Sequence, residues 1–293
     1  MIPYNFEYDR PKTLEEAVQI FERQDTGSKM PLYFSGGTEI ITLGSINRVY
    51  TGAVIDIKSI PECRALTVLD DKLVLGAALT LSELHDSRVF PLLGKTAAGV
   101  ADRTSRNKIT LGGNICGLYF YREAVLPLLL TDSEVRITGP SGYRQTPIRD
   151  IFDQTLQLAK GELLVQVLTE TKYLQLPYVS IKKRKVAEID YPLVTVTALR
   201  ADGRLRFAFS GVCDFPFRSD AMEAALNETG RSAEERIDLA VKRLPAPILN
   251  DIKGSAAYRE HVLKTTILEA MADLGGIEHD GTGGADFQTG ASY

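Results

Sequence analysis

The sequence predicts an α+β protein with a mixed first part and a separate C-terminal part. Short apolar runs with strand character are mixed with segments of helical spacing, without regular β-α alternation. Several Ser or Thr residues stand three positions before a Glu at the start of such segments, which is the capping-box pattern of helix N-termini. At 293 residues the chain is long enough for about two domains.

Residues 1–58 predict a small β-α-β unit. Thr13–Glu16 has the capping-box pattern and precedes a helix with one apolar face. Gly27 and Pro31 end this helix, and a short strand at 32–34 runs into a Gly-Gly turn. A second buried strand is predicted at 53–57. The G-x-G-x-x-G pattern of a Rossmann-type dinucleotide site is missing.

The middle of the chain predicts antiparallel strands with inserted helices. Asp70-Asp71 lies between two apolar runs and indicates a hairpin turn. The polar segment 101–108 leads into a second Gly-Gly turn at 112–113. The predicted elements are hairpin strands at 65–69 and 72–79, a short helix capped at 80–83, helices at 92–100 and 124–130, and strands at 134–138, 143–148 and 162–169.

The last third of the chain predicts a small sheet followed by helices. A strand at 178–186 carries the basic cluster 182–185, and Asp202-Gly203 indicates a tight hairpin. Beyond Gly275 the tail is rich in Gly, Asp and Thr, so we expect it to be flexible. The remaining predicted elements are strands at 192–199 and 204–209 and helices at 219–226, 232–244 and 255–274.

The composition is that of an ordinary globular protein, with 44% apolar and 25% charged residues. A net charge of −4 offers no general attraction to nucleic acid or to anionic membranes. No run approaches the roughly 20 apolar residues of a membrane span, and the N-terminus lacks the pattern of a signal peptide. We therefore expect a cytoplasmic protein.

Three cysteines, Cys63, Cys116 and Cys213, are far apart and lack metal-ligand spacing. Neither a disulfide framework nor an iron–sulfur site is indicated on this chain. We expect all three to be buried as small apolar side chains.

The two Gly-Gly turns are the strongest functional signal. Gly-Gly permits positive φ and close approach of the backbone to a ligand, and successive N–H groups in such a turn suit phosphate oxygens. One turn alone is weak evidence, because tight turns also use Gly for steric reasons. Two turns with similar small polar neighbours, at 35–39 and 110–117, favour a shared phosphate-binding site.

Four stretches resemble the FAD-binding medium subunit of the molybdenum hydroxylases, the family of xanthine and carbon monoxide dehydrogenases. Residues 34–40 resemble its first flavin loop, A-G-G-T-D/E, and residues 110–115 its second loop, T-I/L-G-G-N-I/L. Residues 178–183 together with 190–194 resemble the start of its C-terminal domain. Residues 253–259, Lys-Gly-Ser-Ala-Ala-Tyr-Arg, resemble the motif before its last helices.

The resemblance implies a two-part FAD-binding domain of the vanillyl-alcohol-oxidase (PCMH) type, at 1–58 and 59–174. A C-terminal α+β domain at 175–274, with a small antiparallel sheet and helices, and a tail at 275–293 would follow. FAD would be bound non-covalently. Electrons would come from a molybdenum-binding large subunit through two [2Fe–2S] clusters on a small subunit, and would pass to NAD or another acceptor. A dimer of such heterotrimers is a further expectation.

The resemblance also implies the cofactor-binding residues, and no catalytic or metal-ligating residue on this chain. The backbone N–H groups of both loops would hold the pyrophosphate, with Thr and Asn side chains as further donors. Lys182 would contact the flavin ring and raise its potential. The implied cofactor-binding residues are Tyr33, Phe34, Ser35, Gly36, Gly37, Thr38, Glu39, Ile40, Val100, Thr110, Gly112, Gly113, Asn114, Glu123 and Lys182.

The chain departs from the family pattern at two places. Val100 replaces an aromatic residue of some members, and the aromatic segment 118–123 replaces a small-residue turn, with Glu123 where the family has an acid. For two site residues a structural role without cofactor contact remains open. Glu123 would then be an exposed carboxylate at the start of a helix, and Lys182 would be part of a solvated strand face. Two other functions also remain, a stand-alone FAD-dependent oxidase and an assembly module without cofactor.

Overall fold

The computed structural model of the chain describes residues 3–186 and 189–275. The predicted flexible tail lies outside these residues, apart from Gly275. The helices are α1 Leu14–Gln24, α2 Thr38–Ser45, α3 Leu81–Ser87, α4 Pro91–Ala98, α5 Arg103–Arg106, α6 Leu111–Cys116, α7 Val125–Leu130, α8 Ile148–Ile151, α9 Asp220–Leu226, α10 Ala233–Val241 and α11 Ala256–Asp273. The strands are β1 Glu7–Asp9, β2 Leu32–Phe34, β3 Ala53–Asp56, β4 Leu66–Leu69, β5 Lys72–Gly76, β6 Glu134–Gly139, β7 Gly142–Pro147, β8 Phe152–Asp153, β9 Thr155–Leu156, β10 Leu163–Glu170, β11 Tyr178–Lys183, β12 Val194–Ala201, β13 Arg204–Ser210 and β14 Phe217–Arg218.

The N-terminal part is a three-stranded parallel sheet in the order β1-β3-β2. Thr13 caps α1 by accepting the Glu16 N–H, but the Glu16 carboxylate returns to the N–H of Lys12 rather than to that of Thr13. Two elements were absent from the sequence prediction, β1 and α2. Helix α2 connects β2 to β3 and begins directly at the first Gly-Gly turn.

The middle part is a five-stranded antiparallel sheet in the order β4-β5-β10-β6-β7. Its first hairpin confirms the Asp70-Asp71 turn, where both residues have positive φ. The capping box at Thr80 and Glu83 is present and starts α3. Helix α7 is fully buried, and Pro127 fits because it lies in the first turn.

The C-terminal part is a four-stranded antiparallel sheet in the order β11-β12-β13-β14, followed by α9 to α11. Asp202 and Gly203 both have positive φ, as a tight hairpin between β12 and β13 requires. The helix predicted at 255–274 is present as α11, and it buries one apolar face that includes Leu263, Ile267 and Met271.

Arg259 on α11 is a buried hub that is 1% exposed. Its guanidinium donates to the carbonyl oxygens of Leu193 and Gly211 and to the Asp251 carboxylate. These bonds connect the motif at 253–259 with the end of the segment at 178–194. The two C-terminal stretches that resemble the family therefore meet in space.

Three apolar cores hold these parts together. The largest joins the middle sheet and its helices with Leu199, Ala201 and Ala208 of the C-terminal sheet. The α+β class is confirmed. The division at residues 58 and 174 remains a proposal. Among the helices of the described residues, none combines the length and apolarity needed to cross a membrane.

Candidate functional site

A cavity of about 750 Å³ lies where the three parts meet. Its wall comes from β2 and α2, from α6 and the segment after it, and from the end of β11 and the loop that follows. All the predicted site residues line it except Phe34. The lining set is Tyr33, Ser35, Gly36, Gly37, Thr38, Glu39, Ile40, Val100, Thr110, Gly112, Gly113, Asn114, Glu123 and Lys182.

The first Gly-Gly turn ends in a helix that no side chain caps. Gly37 is the N-cap residue of α2 and has a φ of 69°. Within the described part of the chain, the N–H groups of residues 37–40 have no hydrogen-bond acceptor, and the Ser35 hydroxyl is buried without a partner. Unpaired N–H groups at a helix N-terminus attract anions.

Gly36 and Gly37 also have steric reasons to be glycine. A Cβ on Gly36 would overlap the carbonyl oxygen of Lys108, so the first loop packs directly on the segment that leads to the second. A Cβ on Gly37 would overlap the Phe34 ring. Phe34 thus supports the turn from behind, with Lys58 Nζ 4.8 Å from the centre of its ring.

The second Gly-Gly turn uses its N–H groups within the protein. Those of Leu111 and Gly112 bond to the Leu79 and Ala77 carbonyls at 2.8 Å, and that of Gly113 bonds to the Thr110 hydroxyl at 3.2 Å. The N–H groups of Leu111 to Gly113 are therefore already paired within the protein, and the expectation that they hold a pyrophosphate stays a prediction.

The second turn offers a side chain instead. Asn114 Oδ1 accepts the N–H of Ala124 at 3.0 Å, which leaves the amide NH₂ group for the cavity. Gly112 must be small, since a Cβ would lie 2.7 Å from the Ala77 Cβ, whereas a Cβ on Gly113 would meet only Thr110 Oγ1 at 2.9 Å. Gly113 is exposed to the cavity.

Glu39 fastens the two loops together. Its carboxylate accepts the N–H groups of Leu118 and Tyr119, the latter at 3.2 Å. Gly117 makes this approach possible, because a Cβ there would lie 2.7 Å from Glu39 Oε2. The negatively charged side chain of Glu39 is thus engaged with the backbone of the second loop.

The divergent segment after the second turn forms an aromatic cluster at the cavity. The rings of Tyr121 and Tyr191 stack with centres 4.5 Å apart, and Tyr119 lies 6.2 Å from Tyr191. Ser210 Oγ donates to the Tyr121 carbonyl at 2.5 Å. Asp190, next to Tyr191, pairs with Lys253 at 2.5 Å. The cluster therefore joins the middle part to the C-terminal part across the cavity.

Glu123 and Lys182 form a buried ion pair in the cavity wall. Lys182 Nζ lies 2.6 Å from Glu123 Oε2, and the side chains are only 10% and 5% exposed. Thr195 donates to the other carboxylate oxygen at 2.7 Å, and Lys182 also donates to the Gly99 carbonyl. The exposed-carboxylate and solvated-strand alternatives are both wrong. Burial lowers the pKa of the Lys182 ammonium, although the Glu123 carboxylate opposes this shift.

Cys116 is a correction to the sequence analysis. Cys63 and Cys213 are buried as expected, but Cys116 is exposed to the cavity. Because it lies deep inside the molecule, desolvation raises the pKa of its thiol to about 12. Beside it, the 5% exposed Arg122 donates to the Gly117 and Gln154 carbonyls at 2.7 and 2.6 Å, and its Nε has no partner.

The remaining predicted residues complete the wall. Tyr33 donates its hydroxyl to the Gly161 carbonyl at 3.0 Å and stacks on Phe21. Burial raises the pKa of the Tyr33 hydroxyl strongly, so it stays protonated. Val100 is half-buried and packs against the largest core while it faces the cavity.

These residues fit a dinucleotide cofactor such as FAD. The unpaired N–H groups of α2 and the orphaned Ser35 hydroxyl suit a pyrophosphate. The wall is otherwise mostly apolar and aromatic, which suits flat rings.

Residues 4–169 match the family described as the FAD binding domain in molybdopterin dehydrogenase. The chain belongs to this family. The match spans both Gly-Gly turns, the middle sheet and Glu123. The chain is therefore a FAD-binding, medium-type oxidoreductase subunit of the molybdenum hydroxylase family.

Full-length relatives agree with the family assignment. The chain is 28% identical to the glyceraldehyde dehydrogenase medium chain of Sulfolobus acidocaldarius, over 94% of this chain and 100% of that protein. It is 25% identical to the xanthine dehydrogenase FAD-binding subunit of Escherichia coli O157:H7, over 92% and 97%.

Solved structures show the same fold. A chain of carbon monoxide dehydrogenase from Hydrogenophaga pseudoflava, in a form lacking the Mo-pyranopterin moiety, superposes with a TM-score of 0.84 at 22% identity, covering 95% of this chain and 100% of that chain. Quinoline 2-oxidoreductase from Pseudomonas putida 86 gives 0.80 at 21% identity, covering 94% and 99%. The two-part FAD-binding domain expected from the family resemblance is confirmed.

Sequence reasoning missed several residues of this family site. Tyr191, Arg122 and Cys116 line the cavity, and Thr195 holds Glu123. Tyr191 could have been predicted as a site residue, because it lies inside a stretch that resembles the family. Thr195 carried no signal, since its role depends on a contact with a residue 72 positions away.

Proposed function

We propose that this chain is the electron-transfer subunit that holds FAD in a molybdenum-containing hydroxylase or dehydrogenase. Electrons would enter from [2Fe–2S] clusters of a small subunit and leave to NAD or another acceptor. The observation that carries the proposal is the uncapped N-terminus of α2, which opens into the cavity with its N–H groups unpaired.

The first loop would hold the FAD pyrophosphate. The N–H groups of residues 37–40 would donate to phosphate oxygens, and the dipole of α2 would favour their negative charge. The Thr38 hydroxyl and the Asn114 amide would add side-chain donors. Glu39 would act by keeping the second loop in place, since a carboxylate repels phosphate.

The flavin would supply the redox chemistry, and the chain would bind and orient it and set its electrostatic surroundings. Lys182 and Glu123 would face the ring as a neutralised pair rather than as an isolated cation. This changes the expectation that the Lys182 charge alone raises the flavin potential.

The partners are proposed from the names of relatives. The proteins of Sulfolobus and Hydrogenophaga are called medium chains, which indicates companion chains of other sizes. We propose a large subunit with the molybdenum cofactor, a small subunit with the [2Fe–2S] clusters, and a dimer of such heterotrimers in the cytoplasm.

Titration of flavin-free protein with FAD tests the proposed function. We expect a yellow complex that releases FAD on denaturation, and stabilisation by about 2.7 kcal/mol at a free FAD concentration of 100 Kd. Protein that takes up no FAD would contradict the proposal. Rapid bleaching of the bound flavin by an organic substrate, without partner chains, would favour the stand-alone oxidase instead.

Cys116 provides a chemical reporter of occupancy. Because the other two cysteines are buried, we expect a maleimide to label one thiol per flavin-free chain, slowly because the raised pKa keeps most of the thiol protonated, and faster as the pH rises through the neutral range. FAD at 100 Kd should slow the labelling about 100-fold, as measured by intact-protein mass spectrometry.

The matched control is Cys116→Ser, which should remain unlabelled. Equal labelling with and without bound FAD would show that the cofactor lies away from Cys116.

A further inference from the structure

Two cations share one carbonyl oxygen beside the cavity. Lys182 Nζ and Arg184 Nη2 both donate to the oxygen of Gly99, at 2.8 and 3.1 Å. Lys182 lines the cavity, and Val100 and Ala101, directly after Gly99, line it as well. A positive charge at the Gly99 carbonyl therefore lies directly behind the cavity wall, and the proposed flavin would bind on the other side of that wall.

Three carboxylates of the described residues on or close to this strand are already paired with other cations. Glu123 is engaged by Lys182 at 2.6 Å and by Thr195 at 2.7 Å. Glu269 pairs with Lys183 at 2.6 Å, and Asp190 pairs with Lys253 at 2.5 Å.

Of the two cations bonded to the Gly99 carbonyl, Arg184 is the one without an ion pair among the described residues. It is half-buried, and its Nε is buried without a hydrogen-bond partner. No carboxylate of residues 3–186 or 189–275 forms an ion pair with it. Arg184 also opposes protonation of Lys182, which is consistent with two cations close together. Among the described residues, the group around Gly99, formed by Lys182, Glu123 and Arg184, therefore carries one net positive charge.

We propose that Arg184 is a positioning residue that raises the reduction potential of the bound flavin. It acts through the Gly99 carbonyl and Lys182 rather than by touching the cofactor. This inference rests on the proposed function, in which the cavity holds FAD.

Arg184 is expected to affect the flavin potential because a single charge produces a stronger electric field at a distance than a neutral ion pair does. Near neutral pH, two-electron reduction leaves flavin with a negative charge, so a nearby net positive charge favours the reduced form. The Lys182–Glu123 pair is neutral overall, and its field falls off faster with distance than that of one charge. Half-buried Arg184 is also screened less by salt than an exposed arginine.

The midpoint potential of bound FAD, measured by spectroelectrochemistry, tests the inference. In Arg184→Gln we expect the preference for the reduced form to fall about tenfold, which for a two-electron couple lowers the potential by about 30 mV. Arg184→Lys keeps the charge and should restore most of the potential. Arg184→Met keeps the apolar stem and replaces the Gln variant if that variant is unstable.

Lys183→Gln is the matched control, because Lys183 is the adjacent residue but forms its ion pair with Glu269 at the surface, where both side chains are more than a third exposed and solvent screens the change of charge. Its potential should equal that of the wild type. An unchanged potential in an FAD-loaded Arg184→Gln protein, or an equal shift in Lys183→Gln, would overturn the inference while leaving the proposed function intact. Failure of the wild-type protein to bind FAD would instead overturn both.

Discussion

Replacing Gly36 by alanine is expected to abolish FAD binding and to cost about 3 kcal/mol or more of folding stability. The new Cβ would overlap the carbonyl oxygen of Lys108, and backbone cannot rotate away as a side chain can. The first loop would have to leave the segment before the second loop, which would open the cavity between them. Denaturant unfolding and FAD titration measure the two effects.

Two other glycines provide the controls. A Cβ on Gly113 would meet only the Thr110 hydroxyl, so Gly113→Ala should fold but bind FAD more weakly, because this position faces the cavity. Gly230 has no atom within 4 Å of its Cβ position, so Gly230→Ala should behave as the wild type. A stable, flavin-loaded Gly36→Ala protein would show that the two loops do not need to touch.

The different roles of these glycines mark the limit of sequence reasoning at the site. The motifs correctly led to one cavity, because a Gly-Gly pair with small polar neighbours is a local signal. Which glycine packs on backbone, which has positive φ and which faces a ligand depends on Lys108, Phe34 and Ala77. Phe34 lies just before the first loop and Lys108 just before the second, but no local sequence rule predicts that they contact Gly37 and Gly36.

The fold shows the same division between local and distant causes. The hairpin turns at Asp70-Asp71 and Asp202-Gly203 were predictable because two residues decide the geometry. Helix α2 was missed because Ile40, Ile41 and Thr42 are β-branched, and it has no side-chain cap. Position between β2 and β3 overrides these weak propensities.

The missing cap of α2 is itself informative. Helices α1, α3, α9, α10 and α11 all begin with a Ser or Thr side chain that accepts an N–H group. Helix α2 instead begins with Gly37, and no side chain accepts its first N–H groups. Helix α4 also lacks a side-chain cap, but it begins with Pro91, which has no N–H group to leave unpaired. Helix α2 has no Pro in its first turn, so its open N-terminus keeps those donors available for a ligand.

Glu123→Gln is the second variant with a large expected effect. The direction in which it shifts the flavin potential shows whether Glu123 acts through its charge or through packing. The amide keeps the shape of the side chain but leaves Lys182 without a counter-ion beside Arg184, and breaking a buried pair typically costs about 3–5 kcal/mol. In FAD-loaded protein the same change should raise the flavin potential, by about 30 mV for a tenfold effect. That shift is opposite to the one expected for Arg184→Gln.

The double variant Glu123→Gln/Arg184→Gln completes the argument. It removes one negative and one positive charge, so the group around Gly99 returns to one net positive charge, now carried by Lys182. We expect its potential to return close to that of the wild type, and its stability to recover part of the loss, because Lys182 no longer faces a second cation. Potentials that fall in both single variants would show that the residues act by shaping the cavity, since a charge mechanism requires opposite signs.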